Sequence, residues 1–128
     1  MIAKGLIIRE SLRNGTMPSE LIPRIVDQYT HELGGEKGVE IVVVKMDQSD
    51  VPSAAFLLAK HLVDEEYYAH FVCGNRLCVV FPNIVCFVIK GDKVSLERSL
   101  SIGRLCKVPD DQMPFEAMFE VDHPNAHT

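Results

Sequence analysis

The sequence predicts a single-domain sandwich of the α/β (α+β) class, in which helices pack against one mixed sheet of about five to six strands. A β-branched run at residues 39–46 predicts a buried strand, and three short β-rich runs between residues 69 and 90 predict an antiparallel meander. Further segments space their apolar residues as helices do. Together they predict the order β-α-β-α-β-β-β-α-β, with one domain over residues 1–122 and a solvated tail at 123–128.

The charge balance limits the partners to be expected. The chain has 128 residues, with 13 basic and 18 acidic side chains and a formal net charge of -5. This balance argues against nucleic acid and membrane as partners, because phosphate groups are bound mainly by Lys and Arg. The most apolar stretch, residues 77–89, is shorter than the ~20 residues that span a bilayer. The apolar stretch near the start is too short for a signal peptide, so we expect a soluble cytoplasmic protein.

The first part of the chain predicts a strand, a helix and a second strand. Ile7 and Ile8 belong to a strand over residues 2–9, and the run at 39–46 forms the second strand. Between them, residues 19–33 predict an amphipathic helix, because five apolar side chains recur at helical spacing: Ile22, Ile25, Val26, Tyr29 and Leu33. A strand, helix and strand in this order favour parallel pairing through a right-handed crossover.

Two more helices follow, at residues 53–68 and 95–106. The stretch 54–59 of the first is apolar on nearly all sides, so this helix lies either in the core or in a subunit interface. After the second, apolar side chains alternate with charged ones and predict a last strand: Phe115, Ala117, Phe119 and Val121. A short helix after Asp110 and Asp111 is the alternative at this end of the chain.

The meander allows side chains to be assigned to faces. Two-residue connections at 74–75 and 82–83 fix the register, and strand alternation then divides the side chains between two faces. One face receives Phe71, Cys73, Arg76, Cys78, Val80, Val85, Phe87 and Ile89. The other receives His70, Val72, Leu77, Val79, Phe81, Ile84, Cys86, Val88 and Lys90. Because both faces are mostly apolar, both must be covered by helices, a second sheet or a partner chain.

One group of side chains suggests acid–base catalysis. His61 and Glu65 lie four residues apart on the predicted second helix, Tyr68 lies near its end, and His70 opens the next strand. A cleft between this helix end and the meander would gather them. The non-catalytic alternative is that the acidic run at residues 64–66 is a solvated helix face, as such runs usually are.

Arg76 and Cys73 suggest ligand binding. The predicted register directs Arg76 to the same face as Cys73, where a guanidinium could bind a carboxylate or phosphate through two hydrogen bonds. The alternative is that Arg76 extends to water from a hairpin end. The four cysteines have no Cys-x-x-Cys spacing, so no metal site is predicted, and no cofactor is expected either.

The predicted elements carry more apolar surface than one small core needs, and this surplus predicts how the protein functions. A helix apolar on all sides and a meander apolar on both faces favour a non-catalytic homo-oligomer, most simply a homodimer, that binds a small molecule or a protein. The alternative is a small-molecule enzyme that uses the His61 group. Nucleic-acid binding would need a compact basic patch, for which the candidates are Lys4, Arg9, Arg13 and Arg24.

Overall fold

The computed structural model of the chain describes residues 1–33, 37–63 and 67–120. Within them the strands are β1 (Ile2–Ile8), β2 (Ile25–Leu33), β3 (Lys37–Asp47), β4 (Ala69–Cys73), β5 (Arg76–Phe81) and β6 (Ile84–Ile89). The α-helices are α1 (Val51–His61) and α2 (Lys93–Leu105). They form a single α+β domain around one six-stranded sheet in the order β2-β3-β1-β4-β5-β6. The predicted tail at 123–128 lies outside the described residues.

The predicted class and strand number are confirmed, but the sheet is not mixed. All five pairings between neighbouring strands are antiparallel. The prediction of parallel pairing depends on a crossover helix at residues 19–33, and that helix prediction is wrong. Residues Ile22–Arg24 form a short 3-10 helix and Ile25–Leu33 form β2, which pairs directly with β3. Without a crossover helix, the chain enters β3 in the antiparallel direction.

The meander is confirmed with its predicted register. Cys73 lies opposite Arg76 across the first turn, and Cys78 lies opposite Phe87 in the next strand pair. Both turns need positive φ angles, which Gly74 (+58°) and Asn83 (+63°) provide. The division of side chains between two faces therefore holds in the structure.

We call the face that carries Phe71 the first face and the opposite one the second face. The chain covers most of both faces by itself, although side chains of β6 on the first face stay about half exposed. On the first face, α1 packs through Ala55 and Leu58 against Phe71 and Val80. On the second face, α2 and the segment after it form a separate core; its buried members are Leu77, Val79, Phe81, Cys86, Val88, Val108, Met113, Phe115 and Met118. The helix that is apolar on all sides is thus a core element of the domain.

Two predicted helices have other bounds, and the predicted last strand is not formed in the described residues. Helix α1 ends at His61 rather than at residue 68, and α2 covers Lys93–Leu105 rather than 95–106. The predicted last strand is wrong, because Ala117–Phe119 form a 3-10 helix. The side chains there that are buried in the second-face core are Phe115 and Met118, which lie three residues apart as in a helix and do not alternate as in a strand. None of the described helices is long and apolar enough to cross a membrane.

Candidate functional site

A cleft of about 340 Å³ opens on the first face of the meander, beside the start of α1. We call it the meander cleft. It is lined by five side chains that the sequence assigns to one sheet face: Phe71, Cys73, Arg76, Cys78 and Phe87. The turn at residues 47–49 and the first residues of α1 form the opposite wall. Strand alternation and two short turns are therefore sufficient to bring the two predicted ligand-binding residues, Arg76 and Cys73, to one cleft.

The floor of the cleft is apolar and buried. Ala3, Phe71 and Cys78 are at most 3% exposed. Burial raises the pKa of Cys78 to about 12, so this thiol stays protonated at neutral pH and acts as a small apolar group. Phe71 also explains the glycine on the adjoining strand, because a Cβ at Gly5 would lie 2.6 Å from its ring. The floor suits an aliphatic or aromatic ligand body.

The rim on the α1 side carries polar groups. The Asp47 carboxylate accepts hydrogen bonds from the Ser49 backbone N–H (3.0 Å) and the Ser49 hydroxyl (2.5 Å). These bonds favour the charged form, so the pKa of Asp47 is lowered. Next to it, the Cys73 thiol donates to Oε1 of Gln48 at 3.4 Å. This rim therefore holds one negative charge that is already hydrogen-bonded within its own turn.

Arg76 provides the positive charge at the other rim. It is exposed and lies directly opposite Cys73 at the start of β5. Arg76 forms no ion pair or side-chain hydrogen bond with any residue in the described part of the chain. Helix α1 adds a favourable field for an anion, because Val51 and Pro52, at its positive N-terminal end, line the same cleft.

The structure divides the predicted acid–base group between two sides of the sheet. His61 ends α1 on the first-face side, where its Nδ1 is hydrogen-bonded to the Leu57 carbonyl at 2.9 Å. Tyr68 and His70 belong to the other side, with their ring centroids 6.4 Å apart. Glu65 lies outside the described residues. Neither His61 nor the Tyr68–His70 pair lines the meander cleft.

Tyr68 has a structural role in the second-face core. Its ring meets Phe115 edge to face at 5.5 Å and lies 5.8 Å from Phe81. Its hydroxyl donates to the Gln112 carbonyl at 2.5 Å, and burial raises the pKa of Tyr68. The side chain thus fixes the segment after α2 to the sheet and stays protonated.

Two other clefts have charged side chains in their lining. One of about 350 Å³ lies beside Arg24 and Asp50, which form an ion pair at 3.3 Å. Another of about 320 Å³ lies between Lys90 and the start of α2. Among the described residues, no group of three or more His, Cys, Asp or Glu side chains could hold a metal ion.

Two of the four candidate basic residues form internal contacts. Arg9 bonds to Gln28 at 2.6 Å and pairs with Glu40 at 3.1 Å, while Arg24 pairs with Asp50. These contacts reduce the positive charge available to a phosphate backbone.

Sequence reasoning missed the acidic rim. Asp47 caps the 3-10 helix that precedes α1, which is a common local role for an aspartate. Because β3 ends beside β1, this cap also lies over the first face of the meander. Only the strand order, which the sequence leaves undetermined, identifies it as a cleft wall.

Comparison with known proteins adds no relative: no protein-family model matches this sequence, no curated protein is significantly similar to it, and no solved structure matches its fold.

Proposed function

We propose that this protein is a non-catalytic binding module of the cytoplasm that works as a homodimer and takes a small organic anion in the meander cleft. The observation that carries the proposal is the exposed, unengaged guanidinium of Arg76 at the mouth of a cleft whose floor is apolar. Arginine in such a position binds a carboxylate or phosphate with two parallel hydrogen bonds.

The size of the cleft limits the ligand. Ligand sites range from about 300 to 1,000 Å³, and a cleft of about 340 Å³ is at the lower end of that range. A single ring or a short aliphatic chain fills it. The buried surfaces of Phe71 and Cys78 favour this apolar body over a sugar or a nucleotide.

The charges of the rim orient the ligand. The anionic group is expected at Arg76, away from Asp47, whose charge would repel it. Asp47 is less available as a ligand contact because Ser49 already donates two hydrogen bonds to it. The positive end of α1 supports the same sign of ligand charge.

The chemistry of the cleft supports binding rather than catalysis. A nucleophilic thiol needs a lowered pKa and a base nearby, whereas the pKa of Cys78 is raised to about 12 by burial. His61, Tyr68 and His70 do not line the cleft. The four cysteines are free thiols, which supports a reducing compartment such as the cytoplasm.

A titration with benzoate tests the proposal. Benzoate combines a carboxylate with one ring, and its binding can be followed by amide chemical shifts of the isotope-labelled protein. We expect shifts at residues 71–78 and around 47–51. Arg76→Gln removes a charge-assisted contact worth about 1.5–3 kcal/mol, so the dissociation constant should rise about 10- to 100-fold.

Arg13→Gln is the matched control, because it removes the same charge from an exposed position outside the cleft. It should leave benzoate binding unchanged. Benzyl alcohol, which has the ring without the charge, should bind much more weakly. Equal losses in the two arginine variants, or shifts confined to another surface, would contradict the proposed site.

A further inference from the structure

The β6 strand forms one edge of the sheet, and part of its backbone has no partner in the described structure. In β6, residues that hydrogen-bond to β5 alternate with residues that point away from it. Lys90 donates to the Asn75 carbonyl at 2.8 Å, which fixes the alternation. Val85, Phe87 and Ile89 therefore direct their N–H and C=O groups outward.

Ile89 is already engaged, whereas the other two are not. Its N–H donates to the Ser95 hydroxyl at 3.1 Å, and its carbonyl accepts from the Asp92 N–H at 2.9 Å. No group among residues 1–33, 37–63 and 67–120 hydrogen-bonds to the outward backbone of Val85 or Phe87. Two donors and two acceptors are thus presented side by side on this edge.

The side chains of the same edge are apolar. Ile84, Phe87 and Ile89 are 37%, 49% and 45% exposed, although they belong to a strand without a charge, a proline or a bulge. Charges, prolines and bulges are among the features that keep an exposed edge of a natural protein from pairing with other strands. The β6 edge lacks all of them.

The opposite edge, β2, is poorly suited to strand pairing. A second copy of the chain that pairs with β6 is therefore expected to use its own β6 edge. Strand β2 carries Asp27, His31 and Glu32, and a bulge lies between Ile25 and Asp27. A second copy that used its β2 edge would meet these charges and the bulge. Pairing of β6 with β6 is self-complementary and closes after two copies, whereas pairing of β6 with β2 would continue into a filament.

We propose that two copies of this chain pair through antiparallel β6 strands, with Val85 opposite Phe87 of the second copy. This register, and its symmetric equivalent, uses all four unengaged backbone groups of each chain and leaves the bond from Ile89 to Ser95 intact. The inference rests on the proposed function, since it assigns the interface of the homodimer proposed there.

The same pairing completes the meander cleft. Phe87 lines the cleft and is half exposed. Because directly opposed residues in an antiparallel pair share a face, Phe87 of the second copy lies diagonal to it, within reach of an aromatic ring. Each cleft therefore gains an apolar wall from the second copy, and a ligand with an apolar body stabilises the dimer.

Light scattering coupled to size exclusion tests the interface. The unmodified protein should elute at twice the 14.3 kDa chain mass. Phe87→Lys places a charge on the edge and should give single chains. Val26→Lys is the matched control, because Val26 is 55% exposed and belongs to the β2 edge, and it should stay dimeric.

A second measurement needs no variant. In the dimer the amide protons of Val85 and Phe87 are bonded across the interface, so they should exchange about tenfold more slowly than at dilutions where single chains dominate. A dimer that persists in Phe87→Lys, or unprotected Val85 and Phe87 amides in a dimer, would overturn this interface while leaving a homodimer. Single chains at every concentration would overturn the interface and the homodimer together; the benzoate titration tests the cleft separately.

Discussion

The two edges of the sheet are both exposed, but they treat an approaching strand differently. At β2 a bulge and the side chains of Asp27, His31 and Glu32 interrupt the surface that a new strand would need. At β6 six consecutive residues carry no charge, and two outward backbone positions are unengaged in the described structure. The difference shows that one antiparallel sheet can have one edge that disfavours strand pairing and one that is suited to it.

The edges also differ in what lies behind them. In β6, Cys86 and Val88 are buried under the second-face core, and Val85 packs against the first-face core. In β2, the alternate residues Gln28 and Thr30 are exposed. A strand that is held rigid from both faces loses little conformational entropy when another strand joins it. The core packing behind β6 therefore favours pairing, as do its uncharged side chains and unengaged backbone groups.

Removal of core packing behind β6 should have the largest effect on the free energy of unfolding. Phe81, at the end of β5, is fully buried and packs beside Tyr68. Phe81→Ala deletes a ring from the second-face core and should lower the free energy of unfolding by about 3–5 kcal/mol, measured by urea denaturation. Tyr29→Ala removes an aromatic ring from β2, where it is only partly buried, and should cost about 1 kcal/mol. Similar losses would show that the two edges have equal support.

Alkaline pH should lower the free energy of unfolding through Cys78 in β5, the neighbour of β6. This effect should be smaller than that of Phe81→Ala. The pKa of Cys78 is raised from 9.0 to about 12, because burial disfavours the thiolate. Between those values the unfolded chain releases the proton and the folded chain keeps it, so stability falls as pH rises. Near pH 10 the loss attributable to this thiol is about 1 kcal/mol.

The matching variant is Cys78→Ala, compared with the unmodified protein by denaturation between pH 8 and pH 10. The variant should be less stable at pH 8 because of the small cavity, but its stability should decline less steeply with pH. Parallel curves for the two proteins would mean that Cys78 ionises in the folded state as readily as in the unfolded chain.

The same contrast explains which elements the sequence predicts well. In the meander, Gly74 and Asn83 occupy turn positions with positive φ, and both faces of the strands are apolar, so local pattern and final packing agree. The register followed from turn length alone, and with it the side chains that line the cleft.

Strand β2 shows why the rest could not be predicted. An edge strand buries few side chains, so the period of two that marks a strand is weak there. In residues 19–33, the apolar positions match a helix by coincidence: Val26 is exposed, while Ile25 and Tyr29 contact different clusters. Pairing with β3 decided the structure, and that is a long-range contact.

For the meander cleft, the sequence predicted which strand side chains share a face but not the opposite wall; their role in binding stays a prediction. Arg76 and Cys73 were assigned to one face, and the cleft contains both. The catalytic hypothesis placed His61 and Glu65 on one helix, but α1 ends at His61. The end of a helix depends on tertiary contacts, such as the bond from the Val63 N–H to the Ser11 carbonyl at 2.9 Å, which no local pattern reveals.

The smallest expected effect concerns the polar support of β2. Arg9 bonds to Gln28 at 2.6 Å and pairs with Glu40 at 3.1 Å, so it ties β2 to β3 from the end of β1. Because these contacts are partly exposed, Arg9→Gln should lower the free energy of unfolding by only about 0.5–1 kcal/mol. Amide exchange should nevertheless become faster in β2 while it stays unchanged in β6, because the lost contacts involve β2 and β3 and lie far along the sheet order from β6. Faster exchange in both edge strands would mean that Arg9 stabilises the whole sheet, and the contrast between the edges would then rest on their side chains without a difference in local stability.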